Sequence, residues 1–213
     1  MKIFRYESPV MQFLSHVGDL VVLNLLWLVF SLPIITGGAS TAALYRCVLN
    51  IYTDTPAGIK TFFTAFKSNF KQGTQLLLVC LCGTAIICAS LWFLLYYEGE
   101  ISCIIRLLPL APSVLIMTSI GYLFPLQAQF DSPVRIIVRN SVYLMAAHFP
   151  TGFLVLMINM IPAIILFFDT VLFLKTGVIW LVIGVALSAL ANTYFLQKVF
   201  RKYINKENIE GTA

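Results

Sequence analysis

Long runs without a charged side chain decide what this chain can fold into. Residues 20–45, 72–97, 107–130, 140–168 and 176–197 contain no Asp, Glu, Lys or Arg. A helix needs about 20 apolar residues to cross the roughly 30 Å hydrocarbon layer of a bilayer. Inside that layer no water satisfies backbone N–H and C=O groups, so segments of this kind cross as helices. With charged residues at 11% of the chain and hydrophobic ones at 60%, no segment is left that could build a separate soluble core. The expected fold class is all-α: one membrane domain over 1–213, a polytopic transmembrane helix bundle of about six membrane helices with basic amphipathic interfacial segments.

In chain order the reading is an interfacial lead-in at 1–16, spans at about 17–33, 39–53, 73–97, 107–130, 141–168 and 177–199, and a cytoplasmic tail at 200–213. Ser8-Pro9 resembles a capped helix start. The segment 39–53 is short, since about fifteen residues at 1.5 Å each reach only about 22 Å. It must cross where other helices shield it, or lie half-buried. Its residues Ala39, Ala43, Arg46 and Asn50 share one helical face. Residues 59–72 place Ile59, Phe62, Phe63, Phe66 and Phe70 opposite Lys60, Thr64, Lys67 and Lys71, the pattern of a helix lying in the membrane surface. Asp169 to Thr176 reads as a connection, and Gly184, Ser188 and Ala191 as a small-residue packing seam on the last helix.

The break between the first two helices is the best candidate for a polar site. Pro33 ends the incoming helix, Gly37 and Gly38 permit a sharp reversal, and Ser40 is placed to cap the outgoing one. Thr36, Ser40 and Thr41, with Asn24 and Trp27 on the preceding turns, supply polar and aromatic groups of the kind that broken helices of transporters use. The competing reading is a tight extracellular turn. Asp131-Ser132-Pro133 repeats the capping pattern ahead of Arg135 and Arg139. Lys60, Lys67, Lys71, Asp131, Arg135 and Arg139 form a candidate cytoplasmic docking surface, against plain positive-inside anchoring.

If 39–53 crosses, the basic residues fall almost wholly on one side, with only Arg106 and Lys175 opposite. That places both termini in the cytoplasm and the Pro33 turn outside. The net charge of +5 then serves anionic lipid headgroups, not nucleic acid. The apolar run begins too late and is too long for a cleaved signal peptide. The five cysteines, Cys47, Cys80, Cys82, Cys88 and Cys103, show no Cys-x-x-Cys spacing and read as small buried hydrophobes, not disulfides or metal ligands. His16 with Asp19 and the isolated His148 read as interface or core residues. No metalloprotease, serine-hydrolase or phosphate-loop motif is present, so no catalytic residue, metal or cofactor is assigned and no enzyme is expected.

Three stretches together carry a family likeness: NLLWLVFSLPIITGGASTAALY from Asn24 to Tyr45, FFTAFKSNFKQGT from Phe62 to Thr74, and GYLFPLQAQFDSP from Gly121 to Pro133. They resemble the YesL-like family of bacterial membrane proteins, a domain of unknown function. The most specific part is Leu32-Pro33-Ile34-Ile35-Thr36-Gly37-Gly38-Ala39-Ser40. The resemblance implies a multi-pass protein of the bacterial cytoplasmic membrane, associated with carbohydrate ABC importers, and it carries no catalytic residues. The chain lacks the cytoplasmic coupling loop of an importer permease. The expectation is therefore a non-enzymatic accessory or regulatory subunit that contacts lipids and permease or ATPase subunits, and meets a sugar ligand only through the complex. The alternative is an independent small-solute transporter or channel using the break at Pro33 to Ser40.

Overall fold

The protein's computed structural model describes residues 9–96 and 109–210, with side chains described over 14–96 and 109–204. The loop carrying Glu98, Glu100, Cys103 and Arg106, the residues Lys2, Arg5 and Ser8, and the side chain of Lys206 lie outside that range. Among the described residues the chain is helical throughout, without strands. Helix α1 covers Pro9–Ser31, a single 3-10 turn covers Ile34–Thr36, and α2 covers Gly37–Tyr52. Helix α3 runs over Ile59–Tyr96, α4 over Leu110–Gln129, α5 over Val134–Ala147 and α6 over Phe149–Phe168. Helix α7 (Thr170–Ile179) passes through a π-helical turn (Trp180–Gly184) into α8 (Val185–Glu210). Five stretches are long and apolar enough to cross a membrane: 14–31, 59–96, 110–129, 149–168 and 170–204.

The short α2 is the centre of the bundle. It packs against α1, α3, α4 and α8, and Ala39, Ala42, Ala43, Leu44, Cys47 and Val48 are buried. Its small residues let neighbouring backbones approach closely, which is how helices attract one another where no hydrophobic gradient exists. The extreme case is Gly38 against Gly73 of α3. A Cβ on Gly38 would overlap the Gly73 carbonyl, and one on Gly73 would stand 2.6 Å from the Ala39 nitrogen. At 16 residues α2 is shorter than a bilayer, and protein neighbours meet that deficit.

Two apolar cores result. One joins Leu20 and Leu23 of α1 to Leu44, Cys47 and Val48 of α2, Phe62 of α3, and Ala186 and Ala189 of α8. The other joins Leu76 of α3 to Tyr122, Leu123 and Leu126 of α4, Ile137 of α5, Val155 of α6, and Leu196 and Phe200 of α8.

Several local expectations are corrected. Residues 59–72 and 73–97 are not an interfacial helix followed by a span but one helix, α3, about 57 Å long at 1.5 Å per residue; Gly73 interrupts nothing because its φ stays negative. The span expected at 141–168 breaks at His148, where Pro150 has no N–H to continue the α5 ladder and instead occupies the first turn of α6. The Tyr122 hydroxyl donates to the carbonyl of His148 at that break, at 3.1 Å. The connection expected at 169–176 shrinks to Asp169, whose carboxylate accepts from the N–H groups of Val171 and Leu172, both at 2.9 Å. Pro133 precedes α5 without a side-chain cap, so neither Asp131 nor Ser132 caps it. Along the last helix Gly184 is buried, but Ser188 and Ala191 are only partly so. The deepest seam there is Ala186, Ala189, Asn192, Thr193 and Leu196, one step round the helix from the expected stripe.

The π turn explains one buried polar residue. Widening the helix there frees backbone groups from the regular i→i−4 ladder. Asn24, 1% exposed on α1, takes up both: its Nδ2 donates to the Leu181 carbonyl at 2.7 Å and its Oδ1 accepts from the Ala186 N–H at 2.9 Å. Asn24→Leu should therefore destabilise the protein by about 1–3 kcal/mol for each stranded group, read as a lowered midpoint of thermal unfolding in detergent.

Candidate functional site

At the helix break the polar groups named from the sequence are spent on one another. The Thr36 hydroxyl reaches the carbonyls of Phe30 at 2.6 Å and Pro33 at 2.8 Å. The Ser40 hydroxyl donates to the Trp27 carbonyl at 3.1 Å, so Ser40 is a buried bridge inside α2 and not its cap. The Trp27 indole N–H donates to Thr41 Oγ1 at 3.0 Å, and Thr41 donates to the Gly37 carbonyl at 2.8 Å. Gly37 has helical φ and ψ, and no described glycine has positive φ. The reversal is made by the 3-10 turn that follows Pro33, and of the two glycines Gly38 serves close packing while Gly37 faces open space. Asn24 stands apart from this set, turned to α8. What the break builds is a staple between α1 and α2.

The turn also has unexpected neighbours. Phe30 packs on Phe62, Phe63 and Phe66 with centroids 5.1–6.1 Å apart. Thr74 Oγ1 donates to the Ile35 carbonyl at 3.3 Å, and Gln72 Nε2 donates to the Ser132 carbonyl at 3.5 Å. The turn, the lysine-bearing part of α3 and the start of the 131–140 segment are thus joined by direct contacts. Opposite membrane faces would be separated by roughly 30 Å. An extracellular turn with Lys71 and Asp131 on the cytoplasmic side does not fit this packing.

The two basic segments meet over a cleft that the sequence did not reveal. Between α2, α3 and the end of α4 lies a polar cleft of about 490 Å3, lined among others by Arg46, Asn50, Lys60, Thr64, Asn69, Gln127 and Asp131. Of the expected docking residues, Lys60 and Asp131 line it, while Lys67, Lys71, Arg135 and Arg139 are exposed outside it. Among the described residues none of these charged groups forms an ion pair within 4.0 Å. Arg46 holds the cleft together: its Nη1 donates to the Ala128 carbonyl at 2.6 Å, one of the free carbonyls at the negative end of α4. Gln127 is 4% exposed; its Nε2 donates to Asn69 Oδ1 at 3.3 Å, and its Oε1 has no partner. Gln127 sits within GYLFPLQAQFDSP, where a glutamine inside an apolar helix was the available signal. Arg46 and Asn50 share a helical face, and that was theirs.

A second opening is apolar, a groove of about 650 Å3 between α3, α4 and α5 bordered by Val79, Ile86, Leu115, Ile120 and Met145. Cys47, Cys80, Cys82 and Cys88 are free thiols.

Residues 20–98 match the family model described as "Protein of unknown function, DUF624". That match takes in the Asn24 to Tyr45 run and the FFTAFKSNFKQGT segment, two of the three stretches behind the YesL-like resemblance, and YesL-like proteins carry this domain. No curated protein and no solved structure matches the chain. The matched residues form the α1–α2 staple and α3, including the Gly38 to Gly73 contact.

Adjacent glycines should respond oppositely to alanine. A Cβ at Gly37 meets nothing within 4 Å, so Gly37→Ala should be neutral or stabilise by about 0.4–1 kcal/mol through the unfolded chain. Gly38→Ala collides with backbone and should abolish the well-folded monomer on size exclusion in detergent.

Proposed function

We propose that this protein is a non-enzymatic accessory or regulatory subunit of a larger membrane complex, and that the complex is a bacterial carbohydrate ABC importer. The observation that carries the reading is how polar groups are distributed. Thr36, Ser40, Thr41 and Trp27 at the helix break are hydrogen-bonded internally, whereas Lys67, Lys71, Arg135 and Arg139 are exposed and form no ion pair among the described residues, and a separate apolar groove opens between α3, α4 and α5. A subunit that recognises an acidic cytoplasmic surface through its cations and a helix through its groove has this division. A solute pathway would keep a set of unpartnered polar groups at the break; among the described residues there only the buried Ser31 hydroxyl lacks a partner, which disfavours the independent-transporter reading. The importer itself comes from the YesL-like resemblance alone.

For orientation we propose that both termini and all three basic segments face the cytoplasm, in accord with the positive-inside rule. The α1–α2 hairpin then enters and returns on that side, and α3, α4, α6 and α7–α8 cross. An even number of crossings keeps both termini together.

Purification of the tagged protein from its native membrane in mild detergent should bring permease and ATPase subunits with it, and charge reversal of Arg135 and Arg139 should release them. Repeated recovery of the protein alone sinks the reading. For the orientation, Ile35 is well exposed at the turn. A cysteine placed there should resist a membrane-impermeant thiol reagent on intact cells and react in inverted vesicles; labelling from outside refutes the re-entrant hairpin.

A further inference from the structure

We propose that the cleft between α2, α3 and the end of α4 is a binding site for a phosphate ester that carries free hydroxyl groups. Its charges set the first requirement. Arg46 and Lys60 face one carboxylate, Asp131, across the cleft, and two cations less one anion leave it at +1. No ion pair within 4.0 Å quenches them among the described residues. Arg46 uses Nη1 on the Ala128 carbonyl, which fixes the guanidinium in place and leaves its other donors for an oxyanion, the arrangement that suits phosphate.

The neutral groups set the second requirement. Asn50 donates through Nδ2 to the Pro56 carbonyl at 2.9 Å, so its amide oxygen remains as an acceptor. The Thr64 hydroxyl donates to the Lys60 carbonyl at 2.9 Å, so only its lone pairs remain. Gln127, only 4% exposed, carries an Oε1 with no partner. A buried unpaired acceptor costs about 1–3 kcal/mol unless a donor reaches it. The cleft therefore offers cations for an anion and spare acceptors for hydroxyl donors. Inorganic phosphate carries its O–H donors only on the phosphorus that the cations hold, whereas a polyol ester adds carbon-borne hydroxyls that extend away from it, and a zwitterionic phosphoethanolamine group brings no net charge to a net-positive site. The volume of about 490 Å3 lies within the 300–1,000 Å3 range of small-molecule clefts. Two sources share this chemistry, the headgroup of phosphatidylglycerol and a free polyol phosphate.

The test uses the full-length protein in phosphatidylcholine nanodiscs. Glycerol phosphate is titrated calorimetrically in one arm; in the other, nanodiscs doped with phosphatidylglycerol or phosphatidylethanolamine are examined by native mass spectrometry for retained lipid. Binding of glycerol phosphate identifies a soluble ligand, and selective retention of phosphatidylglycerol identifies a lipid; either supports the site. Lys60→Glu, at an exposed position, should weaken binding by about tenfold or more, the worth of one charge-assisted hydrogen bond. Gln127→Met, which keeps volume but removes the acceptor, should erase the preference for glycerol phosphate over inorganic phosphate. Lys202→Glu, exposed on α8 outside the cleft, should change little. Equal binding of inorganic phosphate, equal retention of phosphatidylethanolamine, equal losses in Lys60→Glu and Lys202→Glu, or no binding of either probe would overturn the proposal. These measurements use the protein alone, so they stand or fall separately from its recovery with importer subunits.

Discussion

The contact between Gly38 and Gly73 is the point from which the rest of the bundle is set. Backbone against backbone is the closest approach two helices can make, and in an apolar medium close approach is the main source of helix attraction. It brings α2 onto α3, and α3 then carries α4 through Gly83, where an added Cβ would lie 3.0 Å from Ile116. Because α2 is locked on that side, its other faces are left for α1 and α8, and 11 of its 16 residues become buried. A helix too short to cross a bilayer is stable here because protein encloses it.

Burial of that kind leaves polar side chains far from water; Ser113, Thr118, Ser119, Ser141 and Thr193 turn back on their own helix, and others have a connecting task. Asn24 repairs the π turn of the α7–α8 helix. Asn192 donates to the Tyr45 hydroxyl and to Asn159 Oδ1, both at 3.1 Å, tying α8 to α2 and α6. Gln197 donates to Gln129 Oε1 at 2.6 Å at the end of α4, and His148 meets the Tyr203 hydroxyl at 3.1 Å across the α5–α6 break. Few of these bonds lie within one hairpin. They fix which helix faces which, a role apolar packing alone performs poorly because lipid competes for the same surfaces.

What could be read from the sequence followed from medium and length. Charge-free runs gave the all-helical membrane class and the need of the short arm at 39–53 for shielding, but not where the helices divide, since 59–96 is one helix and 141–168 breaks into two. What could not be read depended on partners distant in the chain. Asn24 was grouped with the break because it lies near it in sequence, although its partners are Leu181 and Ala186. Ser40 looked like a cap because serine before a helix usually is one, yet its hydroxyl had Trp27 to meet. The seam on the last helix was displaced one step because a π turn shifts the register of everything after it. The cleft was invisible for the same reason: Arg46, Lys60, Gln127 and Asp131 come from three segments, and only the docking of α2 on α3 joins them.

The position of the break follows from the same long-range contacts. Counting charges along the chain treats each loop as belonging to one face or the other, and assigns the Pro33 turn to the face with fewer cations. That rule presumes every apolar run crosses. Here Phe30 rests on Phe62, Phe63 and Phe66, in the very segment that bears Lys60, Lys67 and Lys71, and Thr74 reaches back to Ile35. A turn held that way cannot be distant from those lysines. The stretch 73–96, free of charge and about 36 Å long at 1.5 Å per residue, is long enough to cross by itself, and in the proposed orientation it crosses while the hairpin returns on one side. The described part of the family-matched residues 20–98 thereby becomes a single unit, a stapled hairpin seated against the first half of one long apolar helix, with the polar cleft opening beside it.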